Sequence, residues 1–455
     1  MSFPRYPDYK DSGVEWLGTV PGHWQVKRIR HIAQLNPSKT EIKQLDPEML
    51  VSFLPMEAVG DAGSLNLERE TTIAEVQSGY TYFREGDVTY AKITPCFENG
   101  KGAHMRGLLN GIGFGSTELV AVRPDYSQTT SEYLNWIFRS PVFRRLAEAN
   151  MYGAGGQKRV PDEFTRDFAL GLPNIEEQVL ISRFLFSETA KLDDLMAEQE
   201  KLIALLKEKR QAVIAHAVTK GLNPTVSMKH SRIEWLGEVP VHWEVRRIRF
   251  VAQLNPSKSE IKALDPEMQV SFLPMEAVGD DGSLSLDREK AIYEVETGYT
   301  YFRDGDVTFA KITPCFENGK GAHMHGLLNG IGFGSTELVA ARPYYSKTTS
   351  EYLNWIFRSP QFRRWGEASM YGAGGQKRVP DDFVRNFALA FPNIAEQVEI
   401  SNFLIRETAK HDELIAEAQK AIDLLKERRS ALISAAVTGQ IDVRGLIKEE
   451  QEQAA

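Results

Sequence analysis

The sequence predicts an α+β protein: two near-identical globules joined by two long antiparallel helices, related by an approximate two-fold axis. Three observations carry this expectation. The chain is an internal duplication: Trp16 recurs as Trp235, His23 as His242, Lys92 as Lys311, Tyr152 as Tyr371 and Gln178 as Gln397, each pair 219 residues apart (235 − 16 for the first). No gap is needed between 15–219 and 234–438, and roughly three-quarters of the positions are identical. That period is far too long for a solenoid unit. Each copy ends in a stretch without Gly or Pro, 175–219 and 394–438, with apolar residues at helical spacing. Each copy also holds several short strand candidates punctuated by turn residues.

The helices set the architecture. Leu192, Leu195, Met196, Leu202, Ile203, Leu205, Leu206, Val213 and Ile214 stripe the first, and Leu414, Ile415, Ile422, Leu424, Leu425, Leu432 and Ile433 the second. Asn174 is expected to cap the first helix, with Glu177 reaching back to the free amide at the cap, and Asn393 with Glu396 repeat the pattern. Gly221 and Gly439 stand where a left-handed stop is wanted. About 45 helical residues span roughly 65 Å, longer than a small domain is wide. Such a stripe needs a partner helix. Because the second globule starts at the far end of the first helix, the second helix must run back for the stripes to pair, which gives the antiparallel arrangement and its two-fold axis. The stretch 10–15 matches 229–234, so the N-terminal segment should sit beside the end of the second helix.

Within the first copy, strand candidates fall at 51–54, 80–83, 87–93, 118–122 and 168–172, an amphipathic helix at 131–149, and a Gly-rich surface loop at 99–115. The chain therefore divides into a globule at 1–173, a helix at 174–220, a second globule at 221–392, a second helix at 393–440 and a C-terminal tail at 441–455.

Composition is that of a water-soluble globular protein, 42% hydrophobic and 25% charged. No apolar run suits a bilayer and the first residues lack an apolar signal core, so a cytoplasmic protein is expected, with no membrane partner. The two cysteines, Cys96 and Cys315, are equivalent positions of the repeat, which argues against a disulfide framework or a four-cysteine zinc site. A net charge of −8 speaks against a free-standing nucleic-acid binder.

Catalytic patterns fail on inspection. Asn36-Pro37-Ser38-Lys39 lacks the aromatic residue that would stack on a flipped base. Gly153 to Gly156 follows a helix rather than a strand, unlike a dinucleotide-binding turn. Glu41-Ile42-Lys43 after Pro7-Asp8 would suit a metal-dependent nuclease, but the second copy has no matching Pro-Asp. His104 and His323 have no spaced metal-ligand set. The chain reads as non-enzymatic, with no cofactor or metal of its own.

Polar and basic loop residues are the better candidates. Lys92, Thr94, Asn99, Lys101 and His104 form one cluster, and Gln157, Lys158 and Arg159 a second. Their equivalents are Lys311, Thr313, Asn318, Lys320 and His323, and Gln376, Lys377 and Arg378. Lys and Arg suit phosphates, while Gln, Asn and Arg suit base edges, so both clusters are candidate DNA contacts.

The order globule, Leu-Pro-x-x-x-Glu-Gln-x-x-Ile (Leu172, Pro173, Glu177, Gln178, Ile181), then a long helix ending Ala-Val-Thr-x-Gly (Ala217 to Gly221), all repeated, resembles the DNA-specificity subunit of Type I restriction-modification enzymes. Pro392, Glu396, Gln397 and Ile400 match in the second copy, where Phe391 replaces Leu172 and Gly439 follows Ala-Val-Thr directly. Gly86-Asp87-Val88 and Gly155-Gly156-Gln157 fit that family's target-recognition domains. The resemblance implies a non-catalytic subunit whose two globules are target-recognition domains and whose helices are a spacer. It would bind a bipartite site on double-stranded DNA. Two methyltransferase subunits would carry S-adenosylmethionine, and two restriction and translocase subunits would join them. Family members usually have dissimilar recognition domains. Near-identical ones imply an interrupted palindrome, with half-sites about 10 bp apart centre to centre. A stand-alone DNA-binding coiled-coil protein and a methyltransferase with degenerate motifs are the other classes the residues allow.

Overall fold

The computed structural model describes residues 3–61, 63–373 and 375–446; most of the expected tail, 447–455 with its acidic run, lies outside the described residues. The chain divides into two compact units, Met1–Gln199 with Lys420–Ala455, and Glu200–Gln419.

In the first unit, one four-stranded sheet has the order Glu70–Thr72, Leu50–Leu54, Ile112–Gly115, Thr81–Arg84, with a parallel central pair. A second, wholly antiparallel sheet runs Ala33–Leu35, Leu119–Pro124, Val88–Ala91, Gly102–His104. Leu119–Pro124 and Val88–Ala91 are buried throughout, as central strands covered on both faces must be. Leu54, Phe83, Met105, Leu119 and Ala121 share one apolar cluster. Tyr90, Val120 and Val122 instead pack with Tyr133, Leu134, Ile137 and Phe138 of the helix Ser131–Arg139. The second unit repeats this plan, with sheets of Glu289–Ala291, Gln269–Leu273, Ile331–Gly334, Thr300–Arg303 and of Ala252–Leu254, Leu338–Pro343, Val307–Ala310, Gly321–His323. The α+β reading holds for both.

Two local expectations are corrected. The helix expected over 131–149 is two helices, Ser131–Arg139 and Pro141–Ala149. Pro141 excludes helical backbone at Ser140, whose extended backbone (ψ 139°) ends one helix while its Oγ accepts from Phe143 N to start the next. The expected loop over 99–115 contains the strands Gly102–His104 and Ile112–Gly115. Gly113 lies against the Phe83 ring, where a Cβ would collide, so glycine here serves close packing rather than a loop.

The long helices run Ile175–Lys220 and Ile394–Val437. Asn174 Oδ1 accepts from Glu177 N at 2.9 Å, and Gly221 and Gly439 have φ of +77° and +75°, so caps and stops are as expected. The Glu177 side chain is not. Its carboxylate accepts from Trp24 Nε1 (3.1 Å) and Tyr6 OH (2.6 Å) and pairs with His23 Nε2 (2.8 Å). Donors from the globule claim it because it is buried against them, only 3% exposed. Gln178 beside it is fully occupied: Oε1 accepts from Thr129 Oγ1 and Thr130 N, and Nε2 donates to the carbonyls of Gln128 and Pro173.

The apolar stripe is narrower than expected. Leu195, Leu202, Leu205, Leu414 and Leu424 are exposed. The covered positions step by four and three. They are Leu192, Met196 and Gln199 with Ile422, Leu425, Arg429, Leu432 and Ala436 among the residues of the first unit, and Ile203, Leu206, Arg210, Val213 and Ala217 with His411, Ile415 and Ala418 among those of the second, all buried or half-buried. This is the 3.5-residue seam of a two-stranded coiled coil, which needs only two positions in seven. In each unit the helices are antiparallel. In the first, Arg429 Nε meets Asp193 at 2.8 Å, while Val437 O lies near Tyr133 and Gly439 beside Trp24, at the opening of the other helix. In the second, Arg210 meets Asp412, and Gly221 lies beside Trp243 and Glu396.

The N-terminal segment sits where the repeat places it. Tyr9–Asp11 pairs with Thr19–Pro21, and Tyr9 OH donates to Gly439 O at 3.0 Å. In the second unit Met228–His230 pairs with Glu238–Pro240 in the same way.

Glu177 and Glu396 differ in a measurable respect. Glu396 keeps His242 and Trp243, but it has no counterpart of Tyr6, where the second copy has Thr225. Removing an acceptor strands each buried donor at about 1–3 kcal/mol. Glu177→Ala should therefore destabilise its unit by about 3–5 kcal/mol and Glu396→Ala by about half of that, read as urea midpoints with hydrogen exchange assigning the unit.

Candidate nucleic-acid interface

Two of the segments singled out in the sequence meet in space. Residues 152–159 form a hairpin closed by Tyr152 N to Arg159 O (3.1 Å) and Arg159 N to Tyr152 O (2.8 Å). Gly153 has φ +130°, and a Cβ there would lie 2.5 Å from Gln157 O, so glycine is required. Thr94 ties this hairpin to the turn after the strand Val88–Ala91. Its Oγ1 donates to Gly156 O (2.6 Å) and accepts from Lys158 N (3.0 Å), and Thr94 N donates to Lys158 O. Val160 N donates to Lys92 O. Lys92, Thr94, Gln157, Lys158 and Arg159 thus lie on one surface, as do Lys311, Thr313, Gln376, Lys377 and Arg378 in the second unit.

Their side chains divide by what holds them. Gln157, Lys158, Gln376 and Lys377 are exposed. Arg159 is committed to Glu118 by a two-pronged pair (Nε to Oε2 3.0 Å, Nη2 to Oε1 2.7 Å), and Arg378 to Glu337 likewise. The Arg378 hydrogen bonds hold the Glu337 carboxyl below its ordinary value. These arginines fix the foot of the hairpin. Asn99 and Asn318 are exposed on the neighbouring turn.

The remaining candidates face elsewhere. Lys101 Nζ donates to Met56 O and Lys320 Nζ to Met275 O, binding one sheet to the other. His104 is half-buried, accepting at Nδ1 from Arg106 Nε (2.9 Å); burial, then the Arg106 charge, push its pKa down. Burial pushes His323 down too. Both imidazoles are neutral at pH 7.

Sequence reading passed over Tyr152 and Tyr371, which are 62% and 65% exposed at the hairpin mouth beside the cations. An aromatic bounding a Gly-rich basic turn is the signal, since such rings offer a stacking face to bases. The buried charges serve the fold. Arg123 donates to both oxygens of Asp87 at 2.8 Å, and Glu41, of the nuclease-like triplet, is taken by Arg123 and Arg84. Among the described residues no group of three or more His, Cys, Asp or Glu could hold a metal ion, and no helix is long and apolar enough to cross a membrane.

Each unit is thus a sheet-rich globule that presents a basic hairpin and is locked to an antiparallel helix pair. No protein-family model matches the chain. The fold is shared by a chain from a structure of the type I restriction-modification system (TM-score 0.69, 15% identity, 92% of this chain and 98% of that one). It is also shared by the HsdS subunit of Thermoanaerobacter tengcongensis (TM-score 0.56, 16% identity, 93% and 98%). In sequence the chain is 38% identical over 205 residues to the Type I restriction enzyme EcoAI specificity subunit of Escherichia coli, 45% of this chain and 34% of that protein. The match thus spans about a third of that relative's length. The resemblance to Type I specificity subunits read from the motifs is the one these comparisons return.

Thr94→Val should loosen the hairpin without unfolding the unit. Losing both Oγ1 hydrogen bonds, about 0.5–1.5 kcal/mol each, predicts roughly ten- to hundredfold faster exchange of the Lys158 amide, with amides of the strand Leu119–Pro124 unchanged.

Proposed function

We propose that this chain is the non-catalytic DNA-recognition subunit of a Type I restriction-modification complex. The likeness to the EcoAI specificity subunit, with two near-identical units each presenting the same exposed hairpin, carries the reading. Residues 1–173 and 221–392 act as target-recognition domains, and 174–220 and 393–440 as the spacer. Each hairpin addresses one half-site of double-stranded DNA: Lys158 and Lys377 serve phosphates, and Gln157 and Gln376, with Asn99 and Asn318, serve base edges. The chemistry belongs to partners. Two methyltransferase subunits supply S-adenosylmethionine and methylate adenine, and two restriction and translocase subunits join them. Those subunits also provide positive charge that this acidic chain lacks.

Two like readers see like half-sites, and the antiparallel run of the helices within each unit supports an inverted order. Sequencing the methylated sites in a host carrying this chain with its methyltransferase should return an interrupted palindrome; unrelated half-sites would overturn it. Lys158→Ala with Lys377→Ala should weaken binding to all sequences alike. Gln157→Ala with Gln376→Ala should relax preference at one base pair per half-site by about 1–3 kcal/mol each, read by competition binding.

A further inference from the structure

In the first unit three arginines converge where the globule meets the helix seam. Arg139 ends the helix Ser131–Arg139, Arg144 lies in Pro141–Ala149, and Arg429 occupies a seam position of the second long helix. Arg429 is taken by Asp193, and Arg144 Nη2 donates to Gly100 O at 3.1 Å. Arg139 makes no hydrogen bond or ion pair among the described residues. Its guanidinium lies 5.2 Å over the Trp136 ring and borders a recess of about 250 Å³ that Arg144, Arg429 and Asp61 also line. Burial, then the charges of Arg429 and Arg144, push Arg139 down to about 10.

The second unit repeats the arrangement with Arg358, Arg363 and Arg210. Arg358 is only 8% exposed, its Nε has no partner, and its single hydrogen bond is a long one to Asp280 O (3.4 Å). Arg358 and Arg210 also border a separate recess of about 290 Å³, which Asp281, Glu351 and Asp412 line and Arg363 does not. In each unit Asp193 or Asp412 pairs with one arginine of the three, and a buried guanidinium left without an ion pair beside it favours an anion from outside the fold. Guanidinium forks match the paired oxygens of a phosphate or a carboxylate, and a DNA backbone presents the first at every step.

We infer that each arginine cluster binds a phosphate group of the DNA backbone, next to the half-site read by the globule of the same unit. The inference rests on the DNA-recognition reading above and adds to the hairpin a second, sequence-independent grip at the root of the globule. Such contacts fix register without reading bases.

The test uses the full chain with Arg139→Gln and Arg358→Gln together, alone and assembled with its methyltransferase subunits. Without DNA the thermal midpoint should stay level or rise, because repulsion is relieved. Affinity for the mapped site should fall at least tenfold at low salt. The slope of log K against log salt should drop by about 2, roughly 0.9 for each of two lost phosphates, with half-site preference unchanged. A lowered midpoint with an unchanged slope would make the arginines structural and overturn the inference. Unchanged affinity and slope in a variant whose parent binds the site would sink the inference and spare the wider reading. A parent assembly that binds no duplex would remove both. Inorganic phosphate that raises the parent's midpoint but not the variant's, with DNA affinity equal in both, would assign the site to a free anion instead. Loss of the methyltransferase subunits from the variant would assign it to a partner's carboxylate.

Discussion

Everything in each unit depends on how the first turn of a long helix is fastened to the globule before it. Glu177 and Gln178 are consecutive, buried, and each satisfied by several partners: one by Trp24, Tyr6 and His23, the other by Thr129, Thr130, Gln128 and Pro173. A buried carboxylate and amide with every position filled leave the helix one direction of departure. Residues 160–174, with the helix Asp162–Asp167 and the strand Ala169–Leu172, carry the chain from the hairpin at 152–159 to this joint. The Glu-Gln dipeptide is therefore the joint between globule and helix.

Much of the fold was legible because it rests on features local in sequence. The duplication, the caps at Asn174 and Asn393, and the glycines at 221 and 439 need no knowledge of what lies nearby in space. What failed depended on neighbours. Glu177 has the spacing of a capping residue, yet Trp24, 153 positions away, takes its oxygen. Leu195, Leu202 and Leu205 satisfy a 3.6-residue stripe, but one partner helix covers only the narrower 3.5-residue seam. Pro141 was the exception: a local signal against one continuous helix that the amphipathic pattern around it obscured.

The candidate surface divides the same way. Exposed polar residues on a Gly-rich turn announced themselves in Gln157 and Lys158. Sequence could not show that Thr94 stitches this turn to the strand end, nor that Lys101 is spent on Met56 O and Arg159 on Glu118. A cation's type is visible in one dimension, but its freedom is decided in three. The arginine clusters lie at the limit of this. Arg139 and Arg429 are 290 positions apart (429 − 139), and no pattern connects them until both helices are placed.

The ownership of the seam has a consequence for how the protein is made. The second unit is one continuous run, Glu200–Gln419, so all of it is translated before the stretch from Lys420 that the first unit also needs. The first unit cannot be finished then. Its core includes Leu432, Ile433, Ala436, Val437, Ile441 and Val443, which follow the whole second unit in the chain and must return to Trp24, Tyr133 and Leu185, which precede it. Closing so long a loop costs only slightly more entropy than closing a short one, but it must wait until those residues have been made. Of the two domains, the one whose translation begins earlier is the one completed later.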